Sequence, residues 1–402
     1  MPRPIPLPVR EAIWARSRGG QSARTIAEAL GLPPRTVRGL LNRFRSPDQA
    51  SLAPSYQRCG QATPRPSVAL KELALRLRRE HPTWGAGLIR VMMPRWLPQE
   101  SPPCARTLQR WLLEAGLAPA PPGRRPDVLS NRATRPHEVW QMDAAELLNL
   151  NTGQKVSWLR IVDECSGSVL WTEVFPLGQW CHVPPTATQS QLRLAFTRWG
   201  RPGRIRVDNG TPWGAARGDL PTDLGLWLIG LGVGLGYNPP ATPQNNGVVE
   251  RSQGTAKRWA EPGTCQSVEE LQGRLALMDE IQRRRYPSIQ GRSRLQAYPA
   301  VTHSGRDYTA DWEERNWSFE AAGSHLSKHV GRRLVGASGS ISVYNRPVYV
   351  GAVHNRKSVN VMFDPGTLEW LIADDRGLQL GRRRAGEITR DQIMAMTVTR
   401  RS

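Results

Sequence analysis

The chain has 402 residues and a formal net charge of +21 at pH 7. Hydrophobic residues make up 39%, which excludes a disordered polyelectrolyte, and the length predicts two to four domains. So large a positive excess calls for a polyanionic partner. Nucleic acid is the commonest, and a basic ribosome-associated protein is the blander alternative. Only five basic residues are lysine (Lys71, Lys155, Lys257, Lys328 and Lys357). The others are arginine, whose planar guanidinium suits bidentate phosphate and guanine contacts. Five scattered cysteines with no C-x-x-C pair indicate neither a disulfide framework nor a zinc knuckle, as in a reducing cytoplasm. Residues 1–10 carry four prolines and no apolar run, so no secretory signal is expected. The apolar, glycine-rich run 224–237 is too short to span a bilayer, and no membrane partner is expected.

Residues 8–46 predict three short helices, at 8–18, 22–30 and 34–45. Ser22 caps the second, Gly31-Leu32-Pro33-Pro34 forms the turn, and Pro34 sits at the first position of the third. Helix, short turn and basic helix is the helix-turn-helix pattern, with an ordinary helical hairpin as the alternative. This gives a DNA-binding domain over 1–48, with Arg35 and Arg38 as contacts. Residues 49–65 are a Pro/Ser/Gln/Gly-rich linker. A second helical unit occupies 66–118, with the stripe Leu70, Leu73, Ala74 and Leu77, a break at His81-Pro82-Thr83-Trp84-Gly85, and an amphipathic helix at 104–115. Leu108, Trp111 and Leu112 face inward there, leaving Arg106, Gln109 and Arg110 for DNA, which predicts a second helix-turn-helix. Residues 119–136 are a second linker.

From 137 to 300 the pattern becomes strand, strand, strand, helix, strand, helix, strand, helix, an α/β domain with a mixed sheet. The strands are expected at 139–143, 156–163, 169–175, 204–207 and 233–237, and the helices at 185–199, 222–231 and 248–260. Short strands with tight turns over 325–385 predict a small antiparallel β-barrel, and 386–402 a basic C-terminal tail. The fold class is therefore multidomain: all-α helix-turn-helix units, an α/β core and a C-terminal barrel.

Three acids stand out by position. Asp143 lies in the first strand of the α/β domain, Asp208 ends the fourth, and Glu250 starts the last helix. Strand ends and helix starts are where such folds gather functional groups. Phosphoryl transfer at a phosphodiester is served by two Mg²⁺ or Mn²⁺ ions, and these hard cations want carboxylate oxygens. Lys257, seven residues after Glu250, falls near the same helix face, so Lys257 and Arg258 could hold DNA phosphates beside the metals. Any one of these acids alone reads better as a cap or surface group. Asp163 and Glu164, at a strand end before a turn, read as structural, and Asp219, Asp223, Asp374 and Asp375 as caps and turns.

Three blocks carry a resemblance: Val139-Trp140-Gln141-Met142-Asp143, Val207-Asp208-Asn209-Gly210 and Pro243-Gln244-Asn245-Asn246-Gly247-Val248-Val249-Glu250-Arg251. They resemble the signature blocks of bacterial insertion-sequence transposases with a retroviral-integrase-type core, closely over 130–300 and loosely upstream. The resemblance implies an RNase H-like fold, two divalent metals held by the catalytic residues Asp143, Asp208 and Glu250, and Arg251, Lys257 and Arg258 beside DNA. It also implies DNA partners (transposon terminal inverted repeats and target DNA), a homo-oligomer assembled on DNA, and a cytoplasmic, nucleoid-associated bacterial enzyme. Nothing in the residues supports a helper ATPase. Two departures stand. The 41 residues between Asp208 and Glu250 exceed the spacing of retroviral integrases, and their zinc-binding N-terminal module has no counterpart. The alternatives are a non-catalytic DNA-binding descendant and a stand-alone nuclease of RNase H type.

Overall fold

The computed structural model describes residues 5–44, 52, 66–118, 132–177, 183–208, 219–237 and 246–399. Most of the expected linker 49–65, much of the linker 119–136, and Asn209, Gly210 and Pro243–Asn245 of the signature blocks lie outside these residues. The chain divides into two compact units, Met1–Val68 and Ala69–Ser402.

The first unit holds α1 (Leu7–Arg18), α2 (Ala23–Leu30) and α3 (Pro34–Phe44). Ser22 Oγ accepts from the Thr25 amide at 3.2 Å, satisfying an orphan donor of α2. Gly31 takes the left-handed conformation (φ 62°) that ends α2 and permits the tight turn into Pro34. Ile13, Ile26, Ala27, Val37, Leu40 and Phe44 form the core.

The second unit opens with α4 (Val68–Glu80), α5 (Ala86–Met92) and α6 (Ala105–Glu114). Their apolar stripes are buried as the periodicity predicts. The same core, however, takes in Trp259, Met278 and Ile281 from later helices, so these three helices are not a free-standing module.

A five-stranded mixed sheet follows: β1 (Val139–Asn149), β2 (Lys155–Asp163), β3 (Val169–Pro176), β4 (Arg204–Val207) and β5 (Gly234–Tyr237), ordered β3-β2-β1-β4-β5. β1–β2 and β2–β3 are antiparallel; β1–β4 and β4–β5 are parallel. The parallel pairs require crossovers, supplied by α7 (Pro185–Trp199) and α8 (Asp223–Gly230). Trp140, Met142 and Leu159 point to α7 and α8, while Ala145, Val156 and Trp158 point to α9 (Gly247–Ala260) and α10 (Val268–Arg284). This order and layering fit an RNase H-like core. β1 runs six residues beyond the strand expected from the sequence, crossing an irregularity between Ala145 and Leu148.

Beyond α11 (Arg294–Ala297), α12 (Ala310–Asn316) and α13 (Phe319–Leu326) come β6 (Val330–Leu334), β7 (Ser340–Val343), β8 (Arg346–Tyr349), β9 (Ser358–Asp364), β10 (Glu369–Asp374), β11 (Gln379–Arg384) and α14 (Arg390–Met394). Two expectations are corrected here. Among the described residues the strands pair as an open four-stranded sheet, β11-β10-β9-β6, and a separate β7–β8 hairpin, with no ladder closing a barrel. The segment after 386 is not a free tail: Ile388, Ile393, Met396 and Val398 are buried in the core that holds Trp140 and Trp227. Their apolar side chains alternate among charges, and burial rather than charge decides their place. Gly230, an unpromising helix residue, has a packing reason, since a Cβ there would lie 2.2 Å from the Trp317 ring. No described helix is long and apolar enough to cross a membrane.

Candidate active site

Strand register brings the first two acids together. On the parallel pair β1–β4, Gln141 lies opposite Arg206. Two residues on, Asp143 lies midway along β1 and Asp208 just past the end of β4, and the charge of Asp208 is felt by the Asp143 carboxyl. Helix α9 supplies the third. Its first turn is pinned to β1 by the Val249 amide, which donates to Gln141 Oε1 at 3.0 Å. One turn later, Gln253 Nε2 donates to the Asp143 carbonyl at 3.3 Å, and its amide oxygen takes the Trp158 indole N–H. These ties hold the turns of α9 that flank Glu250 against β1. A carboxylate in a first helical turn also suits the helix dipole.

The electrostatics record the convergence. The Asp143 carboxyl is pushed up to about 6, first by burial and further by the negative charges of Asp208 and Glu250, against the Ala144 amide and Gln253, which lower it. Two like charges beside a half-buried carboxyl, three acids in all, are the donor set a hard divalent cation relieves. Among the described residues, no three His, Cys, Asp or Glu side chains are closed enough to hold a metal as they stand.

Below this site sits a polar node that sequence reasoning did not identify as one. Glu164, almost fully buried, accepts from Gln141 Nε2 at 2.9 Å and pairs with Arg206 Nη1 at 2.6 Å. It thus ties the β2–β3 turn to both strands that carry the aspartates. Asp163 accepts from the His137 amide at 2.7 Å and from Ser166 N and Oγ, as suits the structural reading of both acids. Behind α9, buried Arg160 donates to Ser252 Oγ (2.7 Å), Thr172 Oγ1 (2.9 Å) and Asp279 Oδ1 (2.5 Å), joining helix, sheet and α10. No local pattern marks these partners, which lie 12 to 119 residues from Arg160.

The expected DNA contacts are dispersed. Arg35 and Arg38 are exposed on α3 of the first unit. On α6, Arg106 and Arg110 are exposed and Gln109 half-buried, with Arg110 Nε 3.7 Å from Glu114. Arg251, Lys257 and Arg258 are exposed on α9. The His81-to-Gly85 break has an internal role. His81 stacks on Trp84 at 3.8 Å and lies 2.7 Å from Glu261 Oε2, and Trp84 Nε1 donates to the Trp259 carbonyl at 3.1 Å. It therefore docks the helices α4–α6 onto the end of α9.

No family model matches the chain. Among solved structures it is similar to a chain of the simian T-cell lymphotropic virus intasome, at 19% identity over 59% of this chain and 76% of that one, TM-score 0.35. It is also similar to the catalytic core domain of BIV integrase (25% identity, 40% and 94%, TM-score 0.29). A third is the HTLV-2 integrase catalytic core domain in complex with magnesium (19%, 43% and 100%, TM-score 0.31).

Proposed function

We propose that the protein is a DNA transposase or integrase of the DDE type, cutting transposon ends and joining them to target DNA. What supports the reading is the grouping of Asp143 on β1, Asp208 just after β4 and Glu250 on α9: burial first, and then the charges of the other two acids, raise the Asp143 carboxyl. When bound, two Mg²⁺ or Mn²⁺ ions would supply Lewis acidity to the attacking and leaving oxygens of a phosphodiester. The chain's own part is to hold and orient. The three carboxylates provide the oxygen donors, and Gln141 and Gln253 fix α9 against β1 so that Glu250 keeps its place. Arg251, Lys257 and Arg258 meet DNA phosphates along α9. Helices α6 and α3 read or grip the terminal inverted repeats, through Arg106, Gln109 and Arg110 and through Arg35 and Arg38. Paired ends call for a homo-oligomer assembled on DNA, in a bacterial cytoplasm and at the nucleoid.

The test is strand transfer of a pre-cut DNA end by Glu250→Gln and Asp208→Asn proteins. Both should lose cleavage and joining while keeping DNA binding, and wild-type activity should require Mg²⁺ or Mn²⁺. Near-normal joining by either variant would sink the assignment in favour of a non-catalytic DNA-binding protein.

A further inference from the structure

Helix α9 has a second working face. Glu250, Gln253 and Lys257 lie on the side toward the carboxylates. Arg251, Thr255 and Arg258, roughly 100° round the helix, line a cavity of about 480 Å³ between α9, α10 and the β2–β3 turn. The volume is that of a small-molecule site.

The lining has an unusual chemistry. Arg132, Arg251, Arg258 and Arg294 contribute to it, and none of the four is paired with a carboxylate among the described residues. Asp279 is the one acid among the lining residues, and Arg160 already holds it at 2.5 Å. Arg294 is the most telling. It spends one donor on Ser288 Oγ at 2.8 Å, its buried Nε has no partner, and burial pushes its guanidinium down to about 10. A half-buried guanidinium with no carboxylate partner, lining an open cavity, asks for an anion. Trp259, Tyr286 and Tyr298 line the same cavity, and Ser166, Ser252 and Thr255 bring hydroxyls. Guanidinium groups beside aromatic rings and hydroxyls are the parts that bind a nucleotide: phosphate on arginine, base on a ring.

We infer that this cavity receives one unpaired nucleotide of a DNA strand, its phosphate among Arg132, Arg251, Arg258 and Arg294 and its base against Tyr286 or Tyr298. A base still paired in duplex cannot enter a recess between helices, so the occupant is single-stranded or turned out of the stack. The inference rests on the reading above, since it takes DNA as the substrate. It adds that DNA is gripped on both sides of the helix that carries Glu250. A strand held there would be fixed relative to the carboxylates by the helix itself.

The test uses the full chain in EDTA, where no chemistry intervenes. Binding is measured by fluorescence anisotropy for a blunt duplex and for the same duplex with a five-nucleotide thymine tail. The tail should tighten wild-type binding about tenfold, and Arg294→Gln should remove that gain while changing blunt-duplex binding less than about twofold. Arg132→Ala, at an exposed position, should remove part of it, so a folding defect in the first variant does not shield the idea. With 5-iodouracil in the tail, irradiation should crosslink a peptide containing Tyr286 or Tyr298. A gain that survives both substitutions, equal weakening of both DNAs, or competition by inorganic phosphate as strong as by the thymine tail overturns the nucleotide pocket. Glu250→Gln should keep the tail gain. A wild-type protein that shows the gain but never cleaves would sink the transposase reading and leave the pocket standing.

Discussion

Replacing Asp143 by asparagine should make the metal-free protein more stable. Burial first, and then the charges of Asp208 and Glu250, raise the carboxyl from 3.8 to about 6. A raised folded value means the neutral form is favoured in the fold. Its contribution is fully present below pH 4 and lost as the pH rises through 6. At pH 7.5 the ionised group therefore works against folding. A rise of about two pH units corresponds to about 3 kcal/mol at 1.36 kcal/mol per unit, and partial exposure reduces this to about 2 kcal/mol. Asparagine keeps the shape and an acceptor for the Ala144 amide but carries no charge. For a unit the length of Ala69–Ser402, with an unfolding entropy of about 2.1 cal/mol/K per residue, 2 kcal/mol raises Tm by about 3 °C. The assay is thermal unfolding in EDTA at pH 7.5 and at pH 4.5, then with Mg²⁺. Asp143→Asn should exceed wild type at pH 7.5, and the difference should shrink toward pH 4.5, where wild type is protonated. Adding Mg²⁺ at about a hundred times its Kd should stabilise wild type by about 2.7 kcal/mol and the variant much less. An asparagine variant less stable than wild type in EDTA, or one stabilised equally by Mg²⁺, refutes the account of the three charges.

Three further outcomes are expected. Arg160→Met should destabilise the second unit by about 3–5 kcal/mol in urea unfolding, because it strands buried Asp279; a loss under 1 kcal/mol would show that the pair does not hold α10 to the sheet. Arg106→Ala and Arg110→Ala, titrated against end DNA and random DNA, should cost about 1–3 kcal/mol of discrimination for an arginine on guanine, or weaken both DNAs alike for a phosphate contact; unchanged affinity removes α6 from the interface. Mass measurement of the complex with paired ends should give more than one protomer per assembly, and paired-end joining by a single protomer would contradict this.

Local chemistry was enough for part of this protein. The Ser22 cap, the turn at Gly31 and the opening proline of α3 are decided within a few residues, because a cap or a left-handed turn needs only its neighbours. The apolar periods of α4 and α6 could be read for the same reason. The strands leading to Asp143 and Asp208 and the helix start carrying Glu250 were also marked by their surrounding residues. What could not be read is everything set by partners far along the chain. The parallel register of β1 against β4 places Asp143 beside Asp208, and that register follows from crossovers packing on a twisted sheet. The Gln141–Glu164–Arg206 node and the Arg160–Asp279 pair join positions 23 to 119 residues apart, for which no periodicity exists. The segment 386–402 reads as a basic tail by composition, yet Ile388, Ile393, Met396 and Val398 within it are buried, because they meet an apolar surface that only the assembled sheet and helices create. Sequence by itself determined which residues could form caps, stripes and carboxylate positions; tertiary structure decided which of them meet, because burial and charge act through space and not along the chain.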